Sequence, residues 1–327
     1  MLRKIAFFAF ILLLATSLLG VGASFGAQKF DRKFLKMVSG TSGGSWYPIA
    51  AGMMKIVQRE TGISTSSGPG GGVGNMYAIQ KGTADIGLGY AHTITNAYKG
   101  RGKFKEPQNK LRFVATLYPS IFQCAVLKKG DITSYTQIKD KRIVPGKVGF
   151  TSTVIAEQVL KAYDISFKSI KEAGGNVSYV GFSDAAALMK DGHCDVNMLL
   201  TDVPAAVLID LNFSPGIRFL GVDDAHMKKL LELEPGLIAT VIPKTAYKDM
   251  TADVPTPGTA TCLVIRDNVE DDVAYAITKA IWDNMPELVK IKKVMDKADL
   301  KDALLGCKIP VHPGAMKFYK EHGVKIK

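Results

Sequence analysis

The sequence predicts an α/β protein of two similar lobes, with mostly parallel sheet and a cleft between them. Three observations carry this. Short apolar, strand-like runs alternate with runs of helical period along most of the chain. The chain also matches itself 110 residues later. Gly40-Thr41-Ser42 recurs as Phe150-Thr151-Ser152, and 79–86 recurs as 189–196, which pairs Gly82 with Gly192 and Asp85 with Asp195. Finally, from about residue 267 the pattern turns helical and stays so. Two Thr-Ser loops at helix starts, facing each other, would line a cleft, where small ligands bind.

The first element is an export signal. Met1-Leu2-Arg3-Lys4 is a charged start, and 5–21 runs apolar. Small residues follow, so 1–27 reads as a signal peptide cleaved after Ala23 or Ala27. The other reading is a retained membrane anchor, because 17 residues approach a spanning length. No Cys lies in the first 30 residues, which excludes a lipoprotein anchor.

A strand is expected at 34–39, then a small-residue loop at 40–45. Residues 47–60 place apolar side chains at 49, 53, 56 and 57, a helix period, with Pro48 in the tolerant first turn. Residues 64–74 read as a Ser/Gly/Pro-rich loop. A helix at 75–81 leads to a strand at 84–90. Strands at 111–117 and 122–127, helices at 152–163 and 183–190, a strand at 194–200 and a helix at 203–211 follow. The tail gives helices at 267–284, 287–293, 300–305 and 314–322. Packing that tail back onto the first block sets the lobes at 28–122 plus 263–327, and at 123–262. The chain then crosses between them at 122–127 and 259–265, and two crossings make a hinge.

Charge and cysteines narrow the class. The chain carries 42 Lys and Arg against 30 Asp and Glu, a net charge of +12. The lysines are scattered, so the charge reads as solvated surface that at most draws small anions. For an exported protein this excludes nucleic acid as a partner. The four cysteines, 124, 194, 262 and 307, show no metal-ligand spacing and no cofactor motif accompanies them. Cys124 and Cys262 lie in matching strand-like contexts and would bond if those strands paired in register. Buried free thiols are the alternative.

Two motifs suggest chemistry. Gly40-Thr41-Ser42-Gly43-Gly44 fits the nucleophile elbow of serine hydrolases. It sits on the first strand, however, and His193, His226, His312 and His322 lack triad contexts. A hydrolase using Ser42 is therefore the alternative reading. The glycines at 68–74 match neither G-x-G-x-x-G nor a Walker sequence, which excludes nucleotide binding. Anion capture without catalysis remains. Backbone N–H groups at a helix start favour a carboxylate, hydroxyls add donors, and glycines allow close approach.

These residues resemble a known family. Residues 39–48, Ser-Gly-Thr-Ser-Gly-Gly-Ser-Trp-Tyr-Pro, are similar to the G-T-x-x-G-x-Y-Y-P motif of TAXI-type solute-binding proteins. These serve tripartite ATP-independent periplasmic (TRAP) transporters. Gly71-Gly-Val-Gly-Asn75 resembles the family's G-S-V-x-N loop, and Gly82-x-x-Asp85 its G-x-A-D strand entry. Residues 309–315, with Tyr319 and Glu321, resemble its P-x-H-P-G-A segment. The resemblance implies a type II periplasmic-binding-protein fold, a small carboxylate ligand such as glutamate or 2-oxoglutarate, a periplasmic location, a TRAP membrane permease as partner, and a monomer. It points to Thr41, Ser42, Gly43, Gly44, Trp46, Tyr47, Gly72, Asn75, Tyr90, His92, Thr151, Ser152 and Thr153 as ligand-binding residues. Gly72 stands where the family has Ser, Trp46 replaces a Tyr, and Tyr90-Ala91-His92 replaces Gln-Ser-Asp. A sensory protein serving a receptor kinase would share these features.

Overall fold

The computed structural model describes residues 29–306 and 308–325. The expected signal peptide and Cys307 lie outside the described residues. The α/β class is as expected. One mixed sheet of ten strands runs through the molecule, with helices packed against it.

The first block is β1 (Phe34–Val38), α1 (Trp46–Thr61), β2 (Ser64–Gly68), α2 (Gly72–Lys81), β3 (Ile86–Tyr90) and α3 (Ala91–Tyr98). The long β4 (Leu111–Leu127) leads out of it. The second block is β5 (Arg142–Val144), α4 (Thr151–Ala162), α5 (Phe167–Glu172), β6 (Asn176–Val177), α6 (Phe182–Lys190) and β7 (Val196–Thr201). Then come α7 (Ala206–Phe213), β8 (Ile217–Phe219), α8 (Asp224–Leu233), β9 (Ile238–Ile242) and β10 (Val254–Arg266). The tail supplies α9 (Asp271–Asp283), α10 (Met285–Ile291) and α11 (Pro313–Glu321).

The strand order is β2-β1-β3-β10-β4-β7-β5-β6. Its two ends are copies of one plan. Strands β2, β1 and β3 pair in parallel, as do β6, β5 and β7. Each trio meets one long antiparallel strand, β10 beside β3 and β4 beside β7. Strands β4 and β10 pair with each other from Leu111/Arg266 to Ile121/Gly258. The segments 122–127 and 259–265 lie within these two strands.

The repeat has a structural reason. The Asp85 carboxylate accepts from the Lys36 N–H at 2.9 Å, while the Asp85 N–H donates to the Lys36 carbonyl. Asp195 does the same with Arg142, accepting at 2.8 Å. Each Asp thus ties the entry of one parallel strand to its neighbour. Arg32 and Arg142 add ion pairs to them. Gly82 and Gly192 precede them at φ +74° and +73°, the left-handed turn where a Cβ is strained.

Local sequence explains the helices. In α1 the side chains of Ile49, Met53, Ile56 and Val57 are buried on one face, each contributing roughly 1.5–3 kcal/mol. Gly62, at φ +71°, ends the helix by donating to the Gln58 carbonyl. Four expectations need correction. The sheet is mixed rather than mostly parallel, because β4 and β10 run antiparallel to every strand they pair with, giving four parallel and five antiparallel pairs. Residues 64–68 form strand β2 rather than loop; the all-polar Ser-Thr-Ser-Ser-Gly hides it because it is an edge strand paired only with β1. Strand β4 continues through Pro119, whose ring lies exposed opposite Ala260. Residues 300–305 form only a short 3₁₀ turn at Leu300–Asp302.

The register also excludes a Cys124–Cys262 bond. Cys262 lies opposite Thr116 and Cys124 opposite Met198. Eight residues of β4 separate the two levels, about 26 Å.

Candidate functional site

Five helices aim their N-termini at one cavity. Its walls include Trp46 at the start of α1, Gly71 and Gly72 at the start of α2, and Tyr90 just before α3. Thr151 and Ser152 open α4, and Phe182 opens α6. None of the five makes a side-chain cap hydrogen bond. Away from the cavity, α5, α8 and α11 are capped by Ser166, Asp223 and His312, while α7, α9 and α10 are uncapped, so it is the convergence of the five N-termini and not the missing caps that marks the site. Each uncapped N-terminus presents free N–H groups and about half a positive charge. Converging, they favour an anion.

The cavity is about 30 Å³, room for about two waters. It is narrow because contacts close over it. The Ser45 hydroxyl donates to the Asp202 carboxylate at 2.6 Å. The Tyr90 hydroxyl donates to the Leu200 carbonyl at 2.7 Å. The Thr93 and Thr151 hydroxyls lie 3.2 Å apart, and the Gly74 N–H donates to the Gly149 carbonyl at 3.1 Å. A larger ligand requires the two sides to part. Outside lies an open mouth of about 340 Å³ lined by Thr41, Gly70, Gly71, Lys147 and Phe150. Its lysine presents positive charge to an arriving anion.

Seven of the expected residues line this cavity: Thr41, Gly44, Trp46, Gly72, Tyr90, Thr151 and Ser152. The Trp46 indole donates to Thr261 at 3.0 Å and its ring lies 4.5 Å from that of Tyr90. Burial pushes the Tyr90 phenol well up, with the nearby Asp202 charge adding to it. Ser152 accepts from the Leu200 N–H at 3.0 Å. At Gly72 a Cβ would lie 2.2 Å from Thr151 Oγ1, so a side chain there obstructs closure.

The other six lie elsewhere. Ser42 is exposed and makes no hydrogen bond to a His or carboxylate among the described residues. A hydrolytic Ser needs a base in reach. Gly43 and Tyr47 are exposed beside it. Asn75 is buried, but its side chain bonds only backbone: it donates to Ser39 and Leu88 at 2.7 and 2.8 Å, and accepts from Gly71 at 3.0 Å. It holds the glycine loop in shape. Thr153 donates to the Lys147 carbonyl at 2.7 Å and so holds the 147–150 loop.

His92 is neither at the surface nor in the central cavity. It is 3% exposed and walls a neighbouring cavity of about 200 Å³ with Thr93, Asn96, Glu157, Lys161 and Glu234. Its ring nitrogens meet Thr259 and Thr93, each at 3.1 Å. Burial pushes its imidazole down to about 3, which keeps it neutral. Burial also pushes the Glu234 carboxyl up, against its bond from Asn96.

The Thr-Ser match is not structurally equivalent. Thr151 is the first residue of α4, whereas α1 starts at Trp46, four residues after Ser42. Gly43, at φ +82°, and the Gly44 N–H bonding to the Thr41 carbonyl build a turn that delays the helix. Ser45, Phe150, Phe182 and Thr201 line the cavity without having been expected. A signal existed for three residues at the site: adding 110 to Gly72, Tyr90 and His92 gives Phe182, Leu200 and Asp202.

Among the described residues no cluster of three or more His, Cys, Asp or Glu side chains is arranged to hold a metal. No described helix is long and apolar enough to cross a membrane.

Two copies of a parallel βαβ plan, sharing two long strands over a cavity of helix N-termini, define the α/β fold of periplasmic binding proteins. A family model, the NMT1-like family, matches residues 37–323, and the chain belongs to that family. Among solved structures it is similar to a periplasmic transporter at TM-score 0.52 and 15% identity, covering 89% of this chain and 93% of that one. It is also similar to an ancestral arginine-binding protein bound to arginine, at TM-score 0.47 and 17% identity, over 82% of this chain and 98% of that one. A third is the alkanesulfonate-binding protein SsuA from Xanthomonas axonopodis pv. citri bound to MOPS, at TM-score 0.47 and 14% identity, over 90% and 81%. At these identities the likeness is one of fold.

Proposed function

We propose that this protein is the periplasmic solute-binding component of a TRAP transporter of the TAXI type. It captures a small organic anion, a carboxylate such as glutamate, 2-oxoglutarate or a related acid, and delivers it to the membrane permease. The observation that carries this reading is the convergence of five uncapped helix N-termini on one cavity. The carboxylate would take N–H groups of α1, α2 and α4, with the Thr41, Thr151 and Ser152 hydroxyls beside it. Gly44 and Gly72 would let the backbone approach, and Trp46 and Tyr90 would cover the apolar part. Ser42, Gly43 and Tyr47 would form the outer rim.

The lobes would be 28–122 plus 263–327, and 123–262, hinged on β4 and β10. Opening would admit the ligand, closure would follow from its preference for the closed form, and the permease would read that form.

Calorimetric titration of the protein with mono- and dicarboxylates, repeated with the corresponding neutral amides, tests the anion requirement. The expected result is saturable binding of at least one acid and at least about tenfold weaker binding of its amide, the loss of one charge-assisted contact. Equal affinity for acid and amide would overturn the carboxylate reading.

A further inference from the structure

Among the described residues two carboxylates are buried, Asp202 at 5% exposure and Glu234 at 8%. Neither is ion-paired to a Lys, Arg or His. Glu234 accepts from Asn96 in the neighbouring cavity, and burial favours its neutral form. Asp202 is placed differently. It follows Thr201, which lines the central cavity, and it bonds Ser45, which lines it from the other side.

Its two oxygens are unequal. Ser45 and Thr201 both donate to Oδ1, at 2.6 and 2.8 Å. No described residue donates to Oδ2. Oδ2 is not among the enclosed side-chain atoms that lack a partner, so it stays open to a donor or a cation from outside the chain. A second polar group beside the cavity is likewise incomplete. The Tyr118 hydroxyl is buried without a hydrogen-bond partner, and Tyr118 sits in register with Thr261, which holds the Trp46 indole. The cavity is therefore electrostatically two-sided, with helix N-termini on its walls and, beside Ser45 and Thr201, one carboxylate that has no cationic partner among the described residues.

We infer that the ligand is a zwitterion whose carboxylate meets the helix N-termini and whose protonated amine is received by Asp202. This rests on the carboxylate reading above and goes further: it separates amino acids from the matching 2-oxo acids. On parting of the two sides the Ser45–Asp202 bond breaks, and the ligand amine takes the place of that donor.

The test is a matched-pair titration by calorimetry with the full mature protein, using glutamate against 2-oxoglutarate, and alanine against pyruvate. The expected result is that the amino member of at least one pair binds at least about tenfold more tightly. Asp202→Asn should abolish that preference by weakening the amino member alone. The wild-type comparison stands by itself should the variant fail to fold. Binding of a 2-oxo acid as tight as its amino acid would overturn the inference and leave the carboxylate reading intact. Binding of neither member of any pair, with other carboxylates still bound, would likewise overturn the inference alone. Silence from every carboxylate would remove both.

Discussion

Tyr90 and Leu200 hold the same place in the two halves of the chain, 110 residues apart, and the Tyr90 hydroxyl donates to the Leu200 carbonyl at 2.7 Å. Equivalent positions thus touch each other across the cleft. Each lies at the C-terminal end of the third strand of its trio, β3 and β7. In parallel α/β sheets that is where ligands collect, because the following loops and helix N-termini converge there.

Asn75 is a brace in this arrangement. Asn75→Ala would strand the Ser39 and Leu88 carbonyls and the Gly71 N–H in a buried setting. A loss of about 2–4 kcal/mol is expected from these unsatisfied groups, read by urea unfolding. Unchanged stability with weakened ligand binding would assign Asn75 to the ligand instead.

Gly72 keeps the cleft closable. In Gly72→Ser the new Cβ would meet Thr151 Oγ1 at 2.2 Å. The variant should hold the two sides apart, raise the radius of gyration in solution scattering and weaken ligand binding. Adding Thr151→Ala leaves the Thr151 Cβ, at 3.3 Å, as the nearest contact on that residue, and should restore part of the affinity. No rescue would mean that the defect lies elsewhere.

His92 gives stability a pH dependence. Its imidazole is pushed down from 6.5 to about 3 in the folded protein. Between those values the unfolded chain binds more protons than the folded one. Stability is therefore complete above about pH 6.5 and falls as pH drops through the window, by up to about 1.4 kcal/mol per unit. Burial shifts His312 in the same direction, so the wild type must be compared with His92→Gln. The gap between their unfolding free energies should shrink from pH 7 to pH 5; a constant gap would contradict the buried neutral ring.

Asp195 and Asp85 are structural twins. Asp195→Ala removes the bonds to the Arg142 N–H and guanidinium. With the carboxylate partly exposed, a cost of about 1–2 kcal/mol is expected, and Asp85→Ala should cost a similar amount. Ligand affinity should stay unchanged in both, since neither touches the cavity. A loss of binding without a loss of stability would reverse the assignment.

Much of the fold was legible because periodicity and punctuation report local physics. The apolar stripe of α1, glycines 82 and 192, and the repeated Gly-x-x-Asp all marked real boundaries. Strand β2 was not legible, because an edge strand of serines buries no apolar face. Within the candidate site, glycines and small hydroxyl residues pointed to loops that line the cavity. Asp202 and Phe182 escaped notice because their importance comes from what faces them across the cleft, and a linear pattern carries no such pairing except through the 110-residue repeat.

The most direct test is a fluorescence titration of Trp46. The chain has two tryptophans. Trp282 bonds Tyr319 away from the cavity, so Trp282→Phe leaves Trp46 as the reporter. Titrating that variant with glutamate, 2-oxoglutarate and related acids should give a saturable change in Trp46 emission, with a midpoint equal to the calorimetric dissociation constant. Calorimetric binding with no change at Trp46 would place the ligand elsewhere and contradict the cleft assignment.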